Sequence, residues 1–183
     1  MKRIEELIFN QCQQTPDGLA LSDSISKLSY SQMWDCVCKA EKQLQEKGME
    51  KGEIVALSMP NNVEAVVSFL AILKAGGIVM LLHNELTEAE VDTYFSIQSP
   101  NWLWNTSSLT NITKEKPALP VRQVNALSDL FLFGFTSGST GRPKGFVKSH
   151  YSWSSSFQEW SDIFSLEQHD KVLVPLHISY SAQ

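Results

Sequence analysis

The chain has 183 residues, 43% of them hydrophobic and 19% charged, with 15 basic against 20 acidic side chains and a net charge of −5. That length fits one domain or part of a larger one, and the composition excludes disordered and fibrous classes. No basic run relieves the acidic balance, which excludes a nucleic-acid binder and leaves small molecules or proteins as partners.

The N-terminus, MKRIEELIFN, starts basic but meets Glu5 and Glu6 before any apolar run, so it is not a signal peptide. Ile4, Leu7 and Ile8 predict a short amphipathic helix ending near Thr15-Pro16. Two short strands, Leu19–Ser22 and Lys27–Tyr30, follow around a polar turn. Met33, Val37, Ala40 and Leu44 recur at helical spacing, with Gly48 as the stop. The cysteines Cys12, Cys36 and Cys38 make neither an even framework nor a CxxC pair; they read as packing residues in a reducing compartment, consistent with a cytoplasmic protein.

A strand at Glu53–Met59 leads through Pro60-Asn61-Asn62 into Val63–Ala75, a stretch apolar nearly all round that predicts a buried helix. Lys74, Gly76 and Gly77 break the longest apolar stretch, Ala65 to Leu82, short of the ~20 residues that cross a bilayer, so no transmembrane segment is expected. Ile78–Leu82 reads as an interior parallel strand. Thr87-Glu88-Ala89-Glu90 matches a capping box opening a helix with Val91, Tyr94 and Phe95 inward, and Trp102–Trp104 is a further strand. This alternation predicts an α/β fold with a partly parallel sheet flanked by helices.

Residues 106–128, polar and interrupted by two prolines, read as a surface connection. Beyond it come a strand at Leu130–Phe135, a Ser/Thr/Gly loop, a strand at Phe146–Ser149, a helix at Tyr151–Phe164 and a strand at Lys171–Pro175. These are expected to start a second sheet carrying the loop. The sequence stops at Gln183 directly after that apolar strand, the pattern expected of a truncated chain.

The segment with chemistry is Phe135 to Gly145, FTSGSTGRPKG, in which seven of eleven residues are Gly, Ser or Thr and both charges are positive. Gly138, Gly141 and Gly145 would let backbone N–H groups approach a ligand closely. The hydroxyls of Thr136, Ser137, Ser139 and Thr140 can donate to oxyanions, and Lys144 supplies full charge, which together make an anion cradle. It is not a Walker A loop: Gly141-Arg142-Pro143 precedes Lys144, Gly145 follows it, and the flanking segments both read as strands. The alternative is a flexible hairpin loop without a ligand.

FTSGSTGRPKG resembles the phosphate-binding signature of the adenylate-forming (AMP-binding) enzymes: acyl-coenzyme A synthetases, peptide-synthetase adenylation domains and luciferases. Lys27-Leu28-Ser29-Tyr30, Leu73-Lys74-Ala75-Gly76-Gly77, Leu86-Thr87-Glu88-Ala89-Glu90 and Gly145 to His150 are similar to further stretches of that family, in order. The resemblance covers residues 1–183 as the N-terminal part of an AMP-binding domain, with the rest of that domain and the C-terminal subdomain not represented.

The resemblance implies ATP-dependent activation of a carboxylic acid to an acyl-adenylate, followed by transfer to a thiol acceptor. An acyl-coenzyme A ligase of fatty-acid metabolism is the first reading; a peptide-synthetase-type adenylation domain and a non-catalytic remnant are the others. It implies ATP, Mg2+ and coenzyme A as cofactors. It also implies Thr136, Ser137, Gly138, Ser139, Thr140, Gly141 and Lys144 as phosphate contacts, with Arg142 at a variable position and Pro143 shaping the loop.

The sequence departs from the family in three places. Val79-Met80-Leu81-Leu82-His83-Asn84 stands where members often show Val-Pro-Leu-(Asn/Asp)-Pro. Pro175-Leu176-His177-Ile178 carries its histidine one place earlier than the family's Pro-Leu-aromatic-His. His177 thus has two readings, a lining residue of the acyl pocket or a histidine satisfied at a strand end; His150 reads as structural, and His83 and His169 as surface-loop residues. Third, the adenine- and magnesium-binding segment, the ribose-binding Asp and the catalytic Lys of the family are not matched, so no catalytic residue is assigned and the 183-residue chain by itself is expected to be inactive.

Overall fold

Apolar runs of period two and period 3.6 sort into strands and helices in a computed structural model that describes residues 3–113, 129–136, 143–167 and 170–180. Helix α1 (Ile4–Gln14) precedes an antiparallel hairpin of β1 (Leu19–Ser22) and β2 (Lys27–Ser29). Ser29 caps α2 (Tyr30–Glu46), its hydroxyl accepting from the Gln32 N–H while the Gln32 side chain accepts from the Ser29 N–H. Tyr30, assigned to the strand from sequence, therefore opens the helix. Gly48 follows α2 at φ +88°, a left-handed position that glycine occupies without strain.

Strand β3 (Ile54–Ser58), α3 (Val63–Lys74), β4 (Ile78–Leu82), α4 (Glu88–Ile97) and β5 (Trp102–Asn105) then alternate as expected. The Thr87–Glu90 capping box forms, the Glu90 carboxylate accepting from both the N–H and the hydroxyl of Thr87. A tight hairpin leads from β5 into β6 (Leu109–Asn111), an edge strand inside the stretch read as a surface connection; three residues are too few to show periodicity. Residues 114–128 lie outside the described residues.

Strands β7 (Leu130–Thr136) and β8 (Lys144–Ser149) form an antiparallel pair leading into α5 (His150–Phe164). They complete one six-stranded sheet in the order β6-β5-β3-β4-β7-β8, with β3, β4, β5 and β7 mutually parallel and the two edge strands antiparallel. The expected fold class holds, with one correction. The loop-bearing strands do not start a second sheet, because β7 pairs directly with β4, the most deeply buried strand.

The sheet is covered on both faces. Val55, Leu57, Val79, Leu81 and Phe131 pack with α1, α2 and α3, and eight residues of α3 are buried, as its all-round apolar pattern requires. On the other face Ile54, Ala56, Ile78, Met80 and Leu82 meet Tyr94 and Phe95 of α4 together with Phe133 and Phe135 of β7. Trp102 is 2% exposed, and its Nε1–H donates to Glu53 at 2.7 Å. Cys12 is buried and Cys36 and Cys38 are half-buried, all three free thiols.

The strand expected at Lys171–Pro175 is absent: this stretch joins no ladder among the described residues, and Val172 and Leu173 are exposed. Its β-type composition meets no open sheet edge there. A 3₁₀ turn at Ile178–Tyr180 follows it.

Candidate nucleotide site at the carboxyl edge of the sheet

Parallel strands that start together also finish together, and here three of them deliver side chains to one edge. Ser58 of β3 is level with Leu82 of β4, and Met80 of β4 is level with Phe133 of β7. Counted forward in that register, Met59, His83 and Thr136 stand side by side, neighbouring strands being about 4.8 Å apart. This is the carboxyl edge, where open α/β sheets place ligands.

Thr136 is the last described residue before the Ser/Thr/Gly loop, and Lys144 is its direct partner on the returning strand. Paired residues of an antiparallel ladder share a face, so the Thr136 hydroxyl and the Lys144 ammonium project to the same side of the hairpin mouth. Lys144 is exposed there. Ser137, Gly138, Ser139, Thr140 and Gly141, expected to complete the cradle, lie outside the described residues, as does Arg142.

Two glycine–aromatic pairs hold the mouth in register. Gly134 lies opposite Phe146, whose ring comes within 2.4 Å of where a Gly134 Cβ would be. The ring of Phe133 similarly lies 2.8 Å from the Cβ position of Gly145. Gly145, expected to free the backbone for a ligand, also makes room for Phe133 by its missing side chain. On the α4 side, Phe135 meets Tyr94 edge-on with centroids 4.4 Å apart.

His177 sits at the same edge. Its Nε2 is 2.8 Å from the Met59 carbonyl oxygen, an atom that can only accept, so Nε2 carries the proton. Its Nδ1 accepts from the Ser179 N–H at 3.2 Å and meets the Ser179 hydroxyl at 2.8 Å. These contacts fix one neutral tautomer. Burial lowers the His177 pKa from the usual histidine value; the hydrogen bond to Met59 opposes that shift and His83 reinforces it.

His83 corrects the sequence reading. It is no solvated loop residue: it is half-buried, its ring centroid 4.3 Å from that of His177 and 5.6 Å from that of Tyr180. One signal could have found it. A residue directly after a fully buried parallel strand must stand at the carboxyl edge.

His150 is structural, as expected. It is fully buried at the start of α5, and its Nδ1 accepts from the Ile4 N–H at 3.2 Å, tying α1 to the end of β8. Burial, with Arg3 adding to it, lowers its pKa. His169 lies outside the described residues.

Among the described residues no three His, Cys, Asp or Glu side chains converge to hold a metal ion. No helix among them is long and apolar enough to cross a membrane.

A family profile described as AMP-binding enzyme matches residues 8–103 and 96–183. The chain belongs to the AMP-binding enzyme family. As a member, it is 30% identical over 165 residues to bacitracin synthase 1 of Bacillus licheniformis, covering 82% of this chain and 3% of that protein. It is 29% identical over 161 residues to gramicidin S synthase 2 of Brevibacillus brevis, covering 81% of this chain and 4% of that protein.

Solved structures share the fold. The o-succinylbenzoate CoA synthetase MenE of Bacillus subtilis, in complex with the acyl-adenylate intermediate OSB-AMP, superposes with a TM-score of 0.80 at 19% identity over 97% of this chain and 50% of that one. The N-terminal domain of FACL13 from Mycobacterium tuberculosis gives 0.79 at 23% identity over 97% and 52%. The AMP-binding chain thus spans a few per cent of these synthases and about half of these structural neighbours.

Proposed function

We propose that this AMP-binding protein serves ATP-dependent activation of a carboxylic acid. A carboxylate oxygen bonds to the α-phosphorus of ATP, the bond from that phosphorus to the bridging oxygen breaks, and pyrophosphate leaves with the electron pair. The product is an acyl-adenylate, whose acyl group then passes to a thiol. The observation that carries this reading is the pairing of Thr136 with Lys144 at the carboxyl edge, which sets a hydroxyl and a cation at the mouth of the glycine-rich loop. Ser137, Gly138, Ser139, Thr140 and Gly141 would add N–H and hydroxyl donors. The loop would hold the β- and γ-phosphates, stabilising the charge that grows on pyrophosphate. His177 would line the acid side of the same edge.

Transfer to coenzyme A is the first reading of the acceptor, supported by the fold shared with a CoA synthetase. A carrier-protein thiol is the second, supported by the likeness to the two peptide-antibiotic synthases.

The test is ATP–pyrophosphate exchange with a panel of fatty, aryl and amino acids, run on this chain and on the polypeptide encoded by its whole open reading frame. Acid-dependent exchange in the latter, slowed about 10²–10³-fold by Lys144→Ala, is the expected result. Exchange that ignores the acid would sink the reading, and coenzyme A consumption separates the two acceptors.

A further inference from the structure

We propose that His83 is a positioning residue for His177: its ring, packed against the His177 imidazole at the carboxyl end of β4, holds that imidazole in one tautomer and one plane against the Met59 carbonyl. The inference rests on the reading of this edge as an acid-activating site, since His177 is the group through which His83 would act on the acid.

The argument is geometric. Among the described residues, the His177 ring is fastened to the sheet by one hydrogen bond, Nε2–H to the Met59 carbonyl. Its other polar contacts, to the N–H and hydroxyl of Ser179, lie within its own segment and travel with it. A single hydrogen bond leaves rotation about its own axis open. A second ring with its centroid 4.3 Å away and its plane tilted 39° blocks that rotation.

His83 is well placed to be the fixed partner. It directly follows β4, every residue of which is buried, and its Nδ1 accepts from the Glu85 N–H at 3.2 Å. Tyr180 packs near it from the 3₁₀ turn, so the segment bearing His177 closes over His83. Among the described residues, Glu85, Tyr180 and His83 itself are the ionisable groups around His177, and none of them accepts its Nε2 proton. Counted forward from Met80 and Phe133, His83 is level with Thr136 on the neighbouring strand.

Imidazole nitrogen resonances of the full chain decide the matter, with His177→Gln assigning the signals. In the unmodified chain His177 should show the neutral Nε2–H pattern, persisting on acidification below the usual histidine midpoint of about 6.5. His83→Ala should mix the two tautomers, while His83→Phe, which keeps a ring, should preserve the single tautomer; the midpoint should rise in both, because both remove the charge that helps to lower it. A His177 ring that keeps its single tautomer in His83→Ala would overturn the positioning role.

Titration with benzoate and with hexanoate gives the second readout. Acid should perturb the His177 ring, with apparent affinity roughly three- to tenfold weaker in His83→Ala, the worth of one aromatic pair, and restored in His83→Phe. A His177 ring silent to both acids in every form would sink the acid-site reading and the functional half of this proposal. A response of equal strength in all forms would instead keep that reading and remove His83 from it.

Discussion

Phe146 of β8 fills the space that a side chain on Gly134 of β7 would need: the two are cross-strand partners, and the ring lies 2.4 Å from the ideal Cβ position. The glycine is there for the ring, and the pair sits two residues before the loop mouth at Thr136. Gly134→Ala should therefore overpack the hairpin and cost about 1–3 kcal/mol, read from urea unfolding. Adding Phe146→Leu should recover part of the loss. Equal losses in the single and double variants would show that the ring is not what excludes the methyl group.

The Glu53 carboxylate accepts from the Trp102 Nε1–H at 2.7 Å and from the Glu50 N–H at 2.8 Å, through the same oxygen. Glu53→Ala strands the donor of a tryptophan that is 2% exposed, and should cost about 1–3 kcal/mol. Glu53→Gln keeps an acceptor oxygen and should lose much less. Unfolding midpoints of the two variants, compared at equal slope, check the difference.

Stability should fall as pH drops from about 7.5 to 5.5, because burial lowers the pKa of both His150 and His177. In the unfolded chain these imidazoles protonate near pH 6.5. The folded chain keeps them neutral to lower pH, so in that window the unfolded state binds more protons and is favoured by acidification. The effect is absent above the unfolded midpoint and complete once pH lies below the folded values. Thermal melts across this range should show the decline, with a shallower slope in His150→Gln. A flat profile would mean that neither imidazole is held neutral by the fold.

Lys144→Ala should slow acyl-adenylate formation by about 10²–10³-fold in the active polypeptide while leaving acid binding nearly unchanged, since the contact strengthens as pyrophosphate departs. Single-turnover adenylate formation at saturating acid and ATP is the measurement. A loss of only about tenfold would mean that water screens the ammonium throughout.

Phe157, Trp160, Ile163 and Phe164 on α5 are each at least 60% exposed, joined by Val172 and Leu173 just beyond the helix. Apolar surface of this extent favours association. The chain should self-associate with rising concentration in sedimentation velocity, and Trp160→Lys with Phe164→Lys should shift it toward monomer.

The sequence by itself determined the elements whose signals are local. The Thr87–Glu90 box, the all-round apolar Val63–Lys74 helix and the continuous run Ile78–Leu82 each carry their own period or cap, and each stands where its residues place it. The Phe135–Gly145 stretch stood out as readily, because a dense cluster of Gly, Ser, Thr and cations needs no partner to be noticed. Tertiary structure decided what depends on a neighbour. Lys171–Pro175 has strand composition but finds no ladder among the described residues, whereas β6, with only three residues, is held by β5. Gly145 proved to be spacing for Phe133, and His83 a ring partner of His177, since both roles are created by residues distant in the chain. Pattern along a chain reports which face a residue prefers; only the register of neighbouring strands, here Ser58 with Leu82 and Met80 with Phe133, decides which side chains meet at the edge.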